Sequence, residues 1–285
     1  MSELAPSQEH GGAWSSALST NDFAACVESG LQPLGFVQGC SVVSWSFYGV
    51  GAMAGNAFSG YRQSSGYYEQ FQCPHGFVSN EHRLYGMNYE QTWIEQAWTT
   101  AYAGAFARLV DEAKRLGAHG VIGVVERTAH HPESTAYEFS LSGTAVGVEG
   151  IAPPTTPFTT FLAGQKLNKL VEAGFAPVSI ALTLVSIGVY ASCITEYQLN
   201  GGSWAWGGTP TGEIDQLSRA HETARSTARE HVRRQLAGDA LHAAHLSVAS
   251  GESQIEVTLR GNRVRRFKDF ETIPPPRPVL RLVDQ

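Results

Sequence analysis

Cysteine is scarce in this chain and never paired: Cys26, Cys40, Cys73 and Cys193 are widely spaced and form no CxxC couple. That spacing excludes a disulfide framework and a zinc ribbon, which need thiols at close, repeated intervals. It is expected of a protein kept in a reducing cytoplasm. The N-terminus, MSELAPSQEHGG, lacks the apolar stretch of a secretory signal or transit peptide. Also missing are GxxxxGKS/T, GxSxG and HExxH, and with them the P-loop, nucleophile-elbow and zincin chemistries. One run without a charge, Ala176 to Ile194, has 19 residues and just reaches transmembrane length. Pro177, Gly188, several hydroxyl side chains and the absence of a flanking Lys/Arg cluster argue for buried strands instead, and against a membrane partner.

What is present describes a soluble globular protein. Hydrophobic residues make up 42% of 285, enough to bury a core in one large domain or two ordinary ones. The net charge of -6 is unevenly spread: residues 1–150 hold 6 Lys and Arg against 14 Asp and Glu, whereas residues 151–285 hold 14 against 12. Two subdomains meeting with complementary signs account for this.

Phe106, Leu109, Val110, Ala113 and Leu116 recur at helical spacing with charged residues between them, Gly117 follows where a left-handed cap belongs, and GVIGVV reads as a buried strand. This unit recurs. A second helix, Ile214 to Leu236, leads into Leu236 to Leu241, which matches Leu116 to Val121 at a displacement of 120. Farther on, Leu141 to Val146 matches Leu259 to Val264 at 118. Near the start, Val27 to Leu34 matches Val171 to Val178 at 144, each a helix end, a glycine and a proline-led strand. Similar segments in unchanged order with drifting offsets indicate a tandem duplication.

The expected organisation is therefore a disordered N-terminus over 1–17, a first domain over 18–149, a Pro/Thr linker over 150–160, a second domain over 161–270 and a Pro-rich tail over 271–285. The fall in offset places an insertion, rich in Gly, Ser and aromatics, at about 49–87 of the first domain. Period-two alternation at Tyr137, Phe139 and Leu141, and again at Ile255, Val257 and Leu259, predicts hairpin strands with one buried face. The fold class is α+β, two tandem copies of a small domain with helices on one face of an antiparallel sheet.

RLVDEAKRLGAHGVIGV followed by SLSGTAVGV resembles the YbjQ-like family, a heavy-metal-binding domain family. The match is good from about Thr100 to Val148, weaker over Pro33 to Trp45 and degenerate in the second copy. There Asp239 holds the place of the family's aspartate, which is His119 in the first. The resemblance implies an α+β domain that assembles with itself as a homo-oligomer, in the family a pentameric ring. With two copies per chain, five chains would supply ten domains, as in two stacked rings.

Ligand chemistry concentrates at Cys73, His75 and His82 in the insertion and at His130 and His131 at a hairpin tip, which makes a divalent transition metal the cofactor to consider, although no spacing is that of a structural zinc site. His242 and His245, three apart on a strand, should face opposite sides. Gly49 to Ala54 fits a loose G-x-G-x-x-A but lacks the helix that would cradle a phosphate. The basic run Arg260, Arg263, Arg265, Arg266 and Lys268 is best read as pairing with acidic residues rather than nucleic acid. Tyr61, Tyr67, Tyr68, Phe71, Phe77 and Tyr85 suit an interface with another subunit or a protein partner. The reading from sequence is a cytoplasmic, non-enzymatic, ring-forming protein with no assigned cofactor; the alternatives are a heavy-metal-binding protein and an enzyme with a site between subunits.

Overall fold

The computed structural model describes residues 15–44, 71–72, 78–79, 86–131, 136–199, 212–251 and 253–268. Helix α1 (Thr20–Glu28) is opened by Ser19, whose hydroxyl accepts the Asp22 amide at 3.2 Å. After it Gly30, at φ +79°, turns the chain into β1 (Leu31–Ser44). Two short strands, β2 (Phe71–Gln72) and β3 (Val78–Ser79), pair with each other, and β4 (Asn88–Glu90) precedes the long helix α2 (Thr92–Arg115). That helix begins well before Phe106, because the apolar stripe continues upstream through Ile94, Ala97 and Trp98. Gly117, at φ +66°, closes it, and the hairpin β5 (Gly120–His131) and β6 (Ala136–Val148) comes next. The strand read from GVIGVV runs on past Val125 to His131, because β6 offers it a paired register that far.

The remaining elements are β7 (Phe158–Thr159), α3 (Gly164–Glu172), β8 (Phe175–Val189), α4 (Cys193–Leu199), α5 (Asp215–Leu236), β9 (Ala240–Ser250) and β10 (Gln254–Arg266). They complete two four-stranded sheets, ordered β1-β6-β5-β7 and β4-β8-β10-β9. All pairs are antiparallel except β5 with β7. Helices and largely antiparallel sheets make this an α+β fold.

The two sheets share their irregularities. Leu34 is bulged between β1 and β6, and Val178, 144 positions later, is bulged between β8 and β10. Gly123 and Val124 oppose Gly143, while Ala243 and Ala244 oppose Gly261. The bulge residues Gly123 and Ala243 both adopt left-handed backbone, at φ +59° and +50°.

Most of the uncharged run becomes one 15-residue strand, β8, buried on both faces from Ile180 to Val189. Ile180, Leu182 and Leu184 pack in a core with Trp98 and Leu109 of α2 and with Phe139 and Leu141 of β6. Val185, Ile187 and Val189 pack instead with Ala220, Ala224, Ala228 and Val232 of α5. Helix α2 therefore lies between the first sheet and β8, and a smaller core under α1 and α3 covers Ile122 and Val146 on the other face of the first sheet. Each fully buried Leu, Ile or Val contributes about 1.5–3 kcal/mol. Among the described residues, no helix is long and apolar enough to cross a membrane.

Gly39 brings α2 down onto β1: a Cβ there would overlap the Ala105 carbonyl and come within 2.6 Å of the Leu109 nitrogen. Gly39→Ala should cost about 3 kcal/mol through overpacking, read as a lower urea midpoint. An unaltered midpoint would mean that α2 does not sit on β1 in this way.

Candidate functional site

The seam between the two sheets is where polar groups converge. The segment containing β7 lies on the outer edge of β5, with the Phe158 amide donating to the His119 carbonyl and the Thr160 amide to that of Val121, both at 3.0 Å. In return the Gly123 and Val124 amides donate to Leu162 and Thr160 at 2.9 and 3.0 Å. The segment's other side is fastened to the second sheet. Asn262 of β10, 1% exposed, accepts the Thr160 hydroxyl at 2.8 Å and the Phe161 amide at 2.7 Å, and donates to the His242 carbonyl at 3.2 Å. The Thr159 hydroxyl accepts the Ile180 amide.

Charge runs along the same line. Glu126 of β5 pairs with Arg260 of β10 at 3.3 Å, and the guanidinium stands 5.7 Å from the centre of the Phe161 ring. Burial raises the Glu126 carboxyl above its usual range, with Arg260 and then His245 pulling the other way. Its Oε2 has no hydrogen-bond partner among the described residues. Asp239 takes Arg263 at 2.6 Å and Arg265 at 2.9 Å, and these bonds, Arg265's first, hold it down to about 2. Part of the basic run is thus engaged within the protein, Arg260 with the first sheet and two arginines with Asp239.

A second buried carboxyl lies where α2 meets β8. Glu95, 8% exposed, accepts the Ser186 amide at 3.0 Å, and the Ser186 hydroxyl donates to Gln91 at 2.7 Å. Desolvation, offset by the Ser186 amide and reinforced by Glu90, raises Glu95 to about 7. Below the foot of α5 is a cleft of about 350 Å³ lined by Asn88, Thr195, Gln198, Gln216 and Arg219, among others. Gln216 dominates it, accepting from the Ser192 amide and the Thr195 hydroxyl and donating to the Tyr190 carbonyl and Asn88. Gln216 and its four partners satisfy one another, and Glu213 and Asp215 also line the cleft.

The candidate ligands fare unequally. Cys73, His75 and His82 lie outside the described residues, as do Tyr61, Tyr67, Tyr68, Phe77 and Tyr85. Phe71 falls in β2, opposite Ser79. His130 and His131 end β5, opposite Tyr137 and Ala136, within the paired strand rather than at the turn. Among the described residues no three His, Cys, Asp or Glu side chains are placed to hold a metal ion, so these residues alone do not fit one. His242 and His245 are placed differently from expectation. They oppose Asn262 and Arg260, which are two apart, so the bulge at Ala243 and Ala244 brings both histidines to one face.

The family described as "Putative heavy-metal-binding", of YbjQ type, matches residues 86–149. The chain carries a YbjQ-like domain. The matched span takes in β4, α2, β5 and β6, and with them His119, His130 and His131, but not Cys73, His75 or His82. Across 276 residues, 92% of this chain and 89% of the relative, it is 28% identical to a protein of Mycobacterium tuberculosis named encapsulin nanocompartment protein Rv1762c. That alignment runs far beyond the YbjQ-like span. The Asn262 bridge and the Glu126–Arg260 pair depend on which segments meet across the seam, and no motif in the sequence signals either.

Both kinds of buried polar group can be tested by stability. Between pH 4.5 and about 7 the folded chain keeps a proton on Glu95 that the unfolded chain has released. Stability from this group is full below 4.5 and falls as the pH rises through 7. Glu95→Gln should flatten that slope in urea titrations at stepped pH, and an unaltered slope would locate the titration elsewhere. Asn262→Leu strands the Thr160 hydroxyl and the Phe161 amide, and should cost about 2–3 kcal/mol in the same measurement.

Proposed function

We propose that this chain is a self-assembling, non-enzymatic building block in which two copies of a YbjQ-like unit, the second degenerate, join into one rigid protomer of a larger closed assembly. The observation that carries this reading is the likeness to a protein named for a nanocompartment, which extends over both sheets. The paired bulges at Leu34 and Val178, and at Gly123 and Ala243, support the two-copy organisation. An assembly needs a rigid unit, and α2, packed against both sheets, supplies one. Cytoplasmic residence fits the scarce, unpaired cysteines.

A second reading, binding of a transition metal, draws on the family description and on the three histidines within the matched span. It would need ligands gathered from Cys73, His75 and His82, or from a neighbouring chain, since the described residues hold no such cluster. The aromatic insertion remains the candidate surface for a protein partner.

Native mass spectrometry with elemental analysis on one untagged preparation tests both readings. A discrete oligomer of many chains without stoichiometric metal is expected. Monomer alone at micromolar concentration would overturn the assembly reading. One equivalent of a transition metal, lost in His130→Ala or Cys73→Ser, would establish metal binding.

A further inference from the structure

The two sheets end differently at their hairpin edges. The outer edge of β5 is covered by the segment around β7, whereas the matching strand β9 is the last in its sheet, with Ala240, Ala243 and Ala244 exposed. Yet β9 has the shape of β5. The acceptors on β5 are the carbonyls of His119 and Val121, and the donors are the amides of Gly123 and Val124. A displacement of 120 places Asp239, Leu241, Ala243 and Ala244 at those positions, with the same bulge and the same left-handed residue.

The covering segment also has a counterpart. Residues Thr160 to Leu162 displaced by 144 become Ser16 to Leu18, and the fastening is the same in both. The Phe161 amide and Thr160 hydroxyl bond to Asn262; the Ala17 amide, at 3.1 Å, and the Ser16 hydroxyl, at 3.2 Å, bond to Thr144, the residue matching Asn262. The Leu162 amide donates to the Thr160 hydroxyl at 3.1 Å, and the Leu18 amide to that of Ser16 at the same distance. The outward side differs. The Thr160 amide and carbonyl are used by β5, while those of Ser16 meet no partner among the described residues.

We propose that Ser15 to Leu18 of a second copy of this chain bind the edge of β9, as the segment after β7 binds β5. The Ser16 amide donates to the Leu241 carbonyl of the neighbour, whose Ala244 and Ala243 amides donate to the Ser16 and Leu18 carbonyls. Ser16 and Ala17 are already held on Thr144 of their own first sheet and do not pair with their own β9, which makes the contact intermolecular. It is strand addition at an open edge, with affinity drawn from main-chain bonds. Ala240 stands where Gly120 admits the Phe158 ring, so the contact is confined to Ser15 and the residues after it.

The interface is heterologous, head to tail, and therefore propagates from chain to chain, closing into a ring where the rotation between neighbours permits. This inference rests on the two-copy, self-assembling reading and sharpens it. Each chain adds two units, so a ring closed by this contact holds an even number of them. A single ring of five units, which the family resemblance suggests, cannot be built from whole chains in this way.

The test uses full-length chains. Thr159 and Val121 are register partners, and their counterparts are Ser15 and Leu241. Chains carrying Ser15→Cys are mixed with chains carrying Leu241→Cys under mild oxidation, and disulfides are mapped by peptide mass spectrometry. An inter-chain link between positions 15 and 241, formed in the mixture and in neither variant alone, is expected. Ala244→Pro, which removes one of the three main-chain bonds and crowds the edge, should weaken self-association by roughly tenfold with an unaltered circular dichroism spectrum. It remains decisive if Leu241→Cys folds poorly. An oligomer with neither the link nor sensitivity to Ala244→Pro would overturn this edge assignment while leaving assembly intact. A wild-type chain that stays monomeric would overturn both.

Discussion

The structure depends on burying β8 from both sides. A strand whose even residues face α2 and whose odd residues face α5 can carry no charge at either set, and the run Ala176 to Ile194 carries none. The cover on the α2 side also packs on the first sheet, so removing it would expose both sheets at once. This is why the two sheets behave as one body rather than as beads on a linker. Polar groups admitted into β8 find partners on its neighbours: the Ser186 hydroxyl and amide go to Gln91 and Glu95, and the Ile180 amide goes to Thr159.

Edge strands reinforce the same union. β4 leads directly into α2, which packs on the first sheet, yet β4 pairs with β8; β7 leads into α3, yet pairs with β5. Each is only two or three residues long and would contribute little as an isolated ladder. Their effect is positional, because each is anchored by the helix after it and so ties that helix on one side to a sheet on the other. Asn262 adds the specificity: its three hydrogen bonds form only when Thr160, Phe161 and His242 all hold their places.

Much of this was legible in the sequence, and the reasons are local. Helix α2 announced itself through a stripe at Leu109, Val110 and Ala113, and Gly117 through its position after the stripe; Phe139 and Leu141 alternated as a half-buried strand must. The start of α2 was missed because Gln91, at its cap position, makes no side-chain capping bond that would mark it. The common face of His242 and His245 was missed because a bulge resets the period of two, and Ala243 gives no compositional hint of one. Long-range pairs such as Glu126 with Arg260 carry no sequence signal at all. Of the candidate site residues, the sequence displayed ligand chemistry at Cys73, His75 and His82, positions outside the described residues.

Ala243 holds a conformation that its side chain disfavours. A non-glycine residue in left-handed backbone gives up about 1–2 kcal/mol, and such a conformation persists only where its surroundings impose it. At the matching position Gly123 relieves crowding by Ala163 and Leu18, which a Cβ would meet at 3.2 and 3.4 Å. Glycine would have been the easy choice at 243 as well, yet the bulge is present without it. Side chains along the two edges have diverged, Gly120 against Ala240 and Val121 against Leu241, while the directions of the amides and carbonyls have not. An edge read through its main chain needs only that pattern, which explains how recognition can be written into β9 without leaving a motif.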